Sequence, residues 1–233
     1  MEKQRRYSRS AEMYLKTIAE LTEPGKLVTI SSIAERMGIS PISATEMIHR
    51  MENKGLLKHE PYRGVSLTKT GRRIAMATLR RHRLWERFLV DALGLPWEEV
   101  HEMACDLEHA AGAEVTEALN TYLGEPDRCP HGNRIPEASK DTSLAADSQL
   151  DQLSAGEDAL VSRIQPESPS VLRRLASSGI RPGSRIRVRA IEPFDGRRAI
   201  DTPEGAVTLG PKLAAHVHIE RLSDESGDES RDA

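Results

Sequence analysis

Two short clusters of ligand-type side chains stand out in this chain, His82-x3-Glu86 and His101-x3-Cys105-x2-Glu108-His109. Imidazole, thiolate and carboxylate are the groups that bind divalent transition metals. At about 100° per residue, a helix carries His101, Cys105, Glu108 and His109 near 0°, 40°, −20° and 80°, in one narrow sector. The apolar residues of the same stretch (Val100, Met103, Ala104, Leu107, Ala110, Ala111) fall mostly on the other side, so the ligand face is not simply a core face. An isolated His-x3-Glu pair reads as ordinary i, i+4 helix pairing. Four such residues in one sector, with a thiol among them and a second His/Glu pair upstream, read as a divalent-metal site.

Residues 8 to 21 predict a first helix, with Ser8 or Ser10 as N-cap, Tyr14, Ile18 and Leu21 at helical spacing, and Pro24-Gly25 as the stop. Met13 lies beside that stripe, where core packing is the plain reading. The stretch TISSIAERMGISPISATEMIHRMENKGLL then predicts a helix-turn-helix: Thr29 or Ser31 caps a short helix, Gly38 turns, and Ser40 caps a second helix with Pro41 at its first position. Ala44, Ile48 and Met51 hold the second helix to the core. Ser40, Ile42, Ser43, Thr45, Glu46, His49 and Arg50 are left exposed. The following LLKHEPYRGVSLT reads as a hairpin turning through Tyr62, Arg63 and Gly64, a wing. Ser31, Ser40, Ile42, Ser43, Thr45, Glu46, Arg50 and Arg63 are the candidate DNA contacts. The serines and threonine are short and Glu46 is acidic, which makes them weak base readers, so much of the affinity is expected to come from phosphate.

A long helix from Thr70 to Leu93 carries Arg72, Arg73, Arg80, Arg81, Arg83 and Arg87, which either touch phosphate or form a solvated face. With Leu84, Phe88, Leu89 and Leu93, the later helix EVTEALNTYL offers apolar faces that self-association would cover. Residues 124 to 156 read as an irregular linker, in which the Cys129-x-His131 spacing hints at metal but, without nearby partners, reads rather as loop. Beyond Gly156, DALVSRI, SRIRVRAIEP, RAIDTP, AVTLG and AHVHIERL alternate as strands of a small β-barrel, with PSVLRRLASSG a helix among them. The expected organisation is a winged helix-turn-helix at 1–72, a helical metal-binding and dimerisation domain at 73–140, a linker at 141–156, a barrel at 157–222 and a disordered acidic tail at 223–233. The fold class is mainly α with small β.

Composition is that of an ordinary soluble chain: 38% hydrophobic and 30% charged residues, with only 3% aromatics, so aliphatic side chains must fill the core. No apolar run reaches membrane-spanning length and no signal peptide is visible, which predicts a cytoplasmic protein. Two cysteines are too few for a disulfide framework, leaving Cys105 available as a thiolate. The net charge of −3 hides an asymmetry, since residues 1–90 carry 18 Lys and Arg against 9 Asp and Glu. A basic N-terminal third on an acidic remainder suggests one module that meets a polyanion.

The stretches EMYLKTIAEL, IAERMGISPISATEMIHRMENKGLL, LTKTGRR, RHRLWERFL, VHEMACDLEH and PHGNRIP, in this order, resemble the diphtheria-toxin-repressor family of metal-dependent repressors across residues 7 to 222. The resemblance implies two metal sites per subunit for Mn2+ or Fe2+. Met13, Cys105, Glu108 and His109 match the primary site, and His82, Glu86 and His101 match the ancillary one. It also implies that the barrel is SH3-like and can donate further ligands, for which Glu167 is the candidate. The implied protein is no enzyme: it is a homodimer that binds a palindromic double-stranded operator and represses metal-uptake genes, with no membrane and no small-molecule substrate as partner. Thiolate and thioether favour Fe(II), whereas SPISATEMIHRM and HEPYRGVSLT look more like the manganese-responsive branch, and the balance leans to Mn(II). The rival expectations are a winged-helix regulator with a purely structural metal and a metal-dependent hydrolase, the latter needing an open metal position and a cleft.

Overall fold

The computed structural model describes residues 7–137 and 148–222. The expected tail at 223–233 and residues 138–147, which include part of the expected linker, lie outside the described residues. The chain forms two compact units, one gathering the described residues of 1–82, 106–118 and 136–142, the other those of 83–105, 119–135 and 143–233.

In the first unit, α1 (Arg9–Leu21), α2 (Ile30–Met37) and α3 (Pro41–Asn53) precede the hairpin β1 (Leu57–Glu60) and β2 (Gly64–Leu67) and the start of α4 (Lys69–Asp91). Each of the first three helices begins where a hydroxyl replaces a missing helical acceptor: Ser8 Oγ accepts from Ala11 N–H, Thr29 Oγ1 from Ser32 N–H and Ser40 Oγ from Ser43 N–H. Gly38, left-handed at φ 65°, turns α2 into α3. Leu15, Ile18, Ile33, Ile48, Met51, Leu56 and Leu57 are fully buried in one core. The strands pair antiparallel from Leu57↔Leu67 to Glu60↔Gly64, and Val28 bridges Val65. At Gly71 the first turn of α4 presses against the strand entry so closely that a Cβ would stand 1.9 Å from the Leu56 carbonyl oxygen. The helix-turn-helix and wing therefore share one core with the helix that carries His82.

In the second unit, α4 runs on to Asp91, and α5 (Val100–Leu107) and α6 (Ala113–Tyr122) contribute their residues up to Cys105 and from Leu119. Leu84, Leu119 and Ile135 bury together, with Trp85, Phe88 and Leu123 against them. The strands β3 (Ser148–Gln149), β4 (Asp158–Ile164), β5 (Arg185–Ile191), β6 (Arg198–Thr202), β7 (Gly205–Leu209) and β8 (Val217–Arg221) pair in the order β3-β8-β4-β5-β6-β7. All these pairs are antiparallel. α7 (Pro169–Ala176) and the short α8 (Pro211–Ala214) join them. Period-two alternation puts Ile186 and Val188 inward and Arg185, Arg187 and Arg189 outward. The core of this β-rich domain is aliphatic, as a chain so poor in aromatics requires. Among the described residues no helix is long and apolar enough to cross a membrane.

Candidate metal centre

In the first unit the site is built by α1, α4 and the turn that follows α5. One face of α1 carries Glu12 and Lys16, an i, i+4 pair with half-buried Met13 beside them. α4 brings Arg81 and His82, and the turn brings Glu108 and His109. α5 ends at Leu107, where Ala110 N–H bonds the Leu107 carbonyl in a tight turn, so Glu108 and His109 lie beyond the helix on which the sequence projected them. His101 and Cys105 alone remain on it.

Glu108 is fully buried and its carboxylate is the focus of this cluster. His82 Nδ1 lies 2.7 Å from Oε2. The buried Lys16 Nζ donates to Oε2 at 2.8 Å and to Oε1 at 3.0 Å. Burial pushes the Glu108 pKa up, but the His82 and Lys16 contacts outweigh it and hold the carboxyl below its ordinary range. His109 Nδ1 sits 2.8 Å from Glu12 Oε2, and Arg81 braces the turn through the Glu108 backbone oxygen at 2.6 Å and Glu12 at 3.1 Å. The buried His109 Nε2 comes within 3.2 Å of Glu108 Oε1 yet has no hydrogen-bond partner among the described residues. Two buried donor atoms that converge without a shared proton fit a divalent cation.

A second cluster lies wholly in the other unit. His101 Nδ1 is 3.2 Å from Glu86 Oε1 and 3.1 Å from Glu167 Oε2. His131 Nδ1 is 3.2 Å from the same Glu86 oxygen. Glu86, Cys129, His131 and Glu167 are all buried, with one donor atom of each within 4.8 Å of the others. Cys105 Sγ lies 3.9 Å from His101 Nε2. Burial favours neutral His131, but Glu86, Cys129 and Glu167 more than reverse this and raise its pKa well above the ordinary imidazole value. Burial and the Glu86 charge push the Cys129 thiol up. Two carboxylates, two imidazoles and a thiol, all buried except the half-buried His101, form a donor set of the right charge and softness for a divalent transition metal.

Cys129 and His131 are the residues that sequence reasoning missed. They were expected as loop residues without partners, and the segment is indeed a loop, but a buried one. Gly132, at φ 83°, lies so close to β4 that a Cβ would be 2.1 Å from the Ser162 carbonyl oxygen. His131 O accepts from Ile164 N–H at 2.9 Å, His131 Nε2 meets Trp97 O at 2.7 Å, and Asn133 bonds Glu167. The available signal was the Cys-x-His pair itself, next to a Gly-Asn able to dock a loop.

The residues expected to meet nucleic acid all lie in the first unit. Ser31, Ser40, Ile42, Ser43, Glu46 and Arg50 are exposed, Thr45 is half-buried and Arg63 projects from the wing turn. The Ser40 and Ser43 hydroxyls are 2.9 Å apart and Thr45 donates to the Pro41 carbonyl, so these hydroxyls are occupied within α3. Ile42, 75% exposed, is the outstanding apolar group of α3. Of the α4 arginines, Arg80 pairs with Glu117, Arg81 with Glu12, Arg83 with the Arg134 carbonyl and Arg87 with Asp91. These four are structural.

Three family models match in tandem: "Iron dependent repressor, N-terminal DNA binding domain" over residues 6–65, "Iron dependent repressor, metal binding and dimerisation domain" over 68–137, and "FeoA domain" over 148–221. The iron-dependent repressor IdeR of Mycobacterium tuberculosis is 36% identical over 225 residues, covering 91% of this chain and 97% of that protein. The diphtheria toxin repressor of Corynebacterium jeikeium is 34% identical over 237 residues, covering 92% and 98%. Among solved structures, a manganese-dependent transcriptional repressor in complex with manganese superposes at TM-score 0.82 with 38% identity, covering 91% of this chain and all of that one. The manganese regulator SloR does so at 0.79 with 28% identity, covering 91% and 98%.

Proposed function

This chain belongs to the diphtheria toxin repressor family of metal-dependent DNA-binding transcriptional repressors, which are not enzymes, and on that premise we propose how its residues make repression conditional on Mn(II) or Fe(II). On the family resemblance we assign Met13, Cys105, Glu108 and His109 as primary ligands and His82, Glu86, His101 and Glu167 as ancillary ones, and to the latter we add Cys129 and His131 on their contacts with Glu86 and Glu167. Two sites per subunit follow, and the carrying observation is the buried approach of His109 Nε2 to Glu108 Oε1 with no hydrogen bond between them.

When bound, the ion supplies a shared positive centre for carboxylate, imidazole and sulfur donors. The chain does the rest. Glu108 is kept ionised by Lys16 and His82, ready to ligate. Arg81 fixes the backbone of the turn that carries it. Cys129 has to lose its proton to ligate, so binding at the second cluster releases protons. Met13 on α1 and Glu108-His109 after α5 belong to different helices of the fold, and tying them fixes how the winged helix is held on the dimerisation domain.

Exposed Leu93, in the turn after α4, and Met103, Val115 and Tyr122 on α5 and α6 support a homodimer interface. A twofold dimer suits a palindromic operator, with recognition helices α3 entering major grooves roughly 34–36 Å apart. The genes under such control are those of metal uptake, and the site of action is the cytoplasm. The manganese complex of a 38% identical structure tilts the choice toward Mn(II), against the iron named for the 36% identical relative. Fluorescence anisotropy of upstream DNA, at one salt concentration, with chelated protein and then Mn(II) or anaerobic Fe(II), tests the reading. Metal-dependent tightening is expected. Equal binding by chelated, folded protein would replace the switch with a structural metal.

A further inference from the structure

Outside the metal centre, a third set of donors sits within the winged helix itself. His49 and Glu52 lie on the last turns of α3, and His59 lies on β1, across the Lys54–Leu56 turn. One donor atom of each lies within 4.8 Å of the others. Glu52 Oε1 accepts the His59 backbone N–H at 2.9 Å, which orients the carboxylate, and Oε2 lies 3.8 Å from His49 Nδ1. The two imidazoles meet edge to face, with centroids 5.3 Å apart. Glu52 takes no ion pair from Lys or Arg among the described residues, in contrast to Glu108 with its Lys16.

We propose that His49, Glu52 and His59 form a further divalent-cation site of the Zn(II) class that fastens the recognition helix to the wing. It goes beyond the switch described above, because none of its residues belongs to that centre. The chemistry favours the later first-row metals. Two imidazoles and one carboxylate make a borderline N,N,O set, for which affinity rises along the Irving–Williams order, so Zn(II) is preferred over Mn(II) or Fe(II). Tetrahedral Zn(II) with bonds near 2.0–2.1 Å holds its donors roughly 3.3 Å apart. The His49 side chain is 55% exposed and that of Glu52 37%, so both can turn the last ångström without disturbing the core. Three protein donors leave a coordination position open to water. Occupancy would tie together the two DNA-facing elements, α3 and the hairpin, and reduce their freedom before DNA is met.

The test is zinc stoichiometry of the full chain by equilibrium dialysis, comparing wild type with His49→Gln and with His59→Gln. Each variant is first shown by circular dichroism to be folded. The expected result is one fewer Zn(II) per chain in each variant, with loss of the matching Co(II) d–d absorption when cobalt is the probe. His49→Gln guards against a folding artefact, because its side chain lies largely in solvent. Retention of the full wild-type stoichiometry by either variant would overturn the proposal. Because only the difference from wild type is read, failure here leaves the Mn(II) or Fe(II) switch untouched, and failure of the switch leaves this count unchanged.

Discussion

At the scale of single residues the decisive feature is that Glu108 already holds a cation. Lys16 Nζ bonds both carboxylate oxygens in a pair of which the side chains are 4% and 0% exposed. Removing one partner of a buried pair costs about 3–5 kcal/mol where the other charge is left uncompensated, and here His82, 2.7 Å from Oε2, retains part of the compensation. Lys16→Met should therefore lower the melting temperature of the chelated protein. It should also enlarge the rise that Mn(II) produces, because the added ion would restore the missing positive charge. A purely structural lysine would lower both states equally and leave the Mn(II)-induced shift unchanged. His109→Ala should abolish metal-activated DNA binding with the fold intact, and Glu86→Ala should weaken it less; DNA titrations of the two variants decide this. The protonation shifts add a pH signature of the metal-free chain. Glu108, with its pKa lowered, stabilises the fold fully above the ordinary carboxylate range and loses that contribution as pH falls through its folded value. His131, with its pKa raised, stabilises the fold fully below the ordinary imidazole value and loses that contribution as pH rises through its raised one. Melting of chelated protein against pH should show both limbs, and His131→Gln should flatten only the alkaline one.

At the scale of elements, the helical placement of the candidate ligands was legible in the sequence because helical spacing is a local rule. His82, Glu86, His101 and Cys105 follow directly from it, and the caps at Ser8, Thr29 and Ser40 were visible as hydroxyls before apolar runs. Three things were not legible. Where α5 stops depends on the turn at Leu107–Ala110. Which arginines of α4 are structural depends on acceptors far along the chain, as with Arg80 and Glu117. Burial of Cys129 and His131 depends on a loop docked on β4, a non-local contact that no periodicity records. That dependence makes a prediction. Gly132→Ala puts a Cβ 2.1 Å from the Ser162 carbonyl and forces L-residue strain at φ 83°, so the loop must lift from β4. The variant should bind less Mn(II) at saturation than wild type while its winged helix keeps its core, since that core contains no residue of the loop. Dialysis with Mn(II), alongside amide exchange of α3, reads both. Parallel loss of α3 protection would show that the loop supports the whole molecule rather than the second cluster.

At the scale of the whole molecule the question is what metal adds to DNA binding. The chain is acidic overall at −3, yet its first 90 residues carry twice as many basic as acidic groups, so attraction to DNA must come from the winged helices. Several α4 arginines are already paired with protein groups, and the reading helix offers short, self-bonded hydroxyls, an exposed Ile42 and Arg50. Affinity is then largely counterion release, with few base contacts to add to it. If metal works by orienting two reading heads rather than by creating base contacts, the chelated dimer engages one head at a time and the loaded dimer both. The slope of log affinity against log salt should then be about twice as steep with Mn(II) as without, since each engaged head releases its own counterions. By linkage, operator DNA should tighten Mn(II) by the same factor that Mn(II) tightens DNA. Anisotropy titrations across a range of salt, paired with Mn(II) titrations in the presence and absence of DNA, measure both quantities. An unchanged slope with a large gain in affinity would mean that metal improves the fit of heads already engaged, moving the switch from the dimer to the single winged helix.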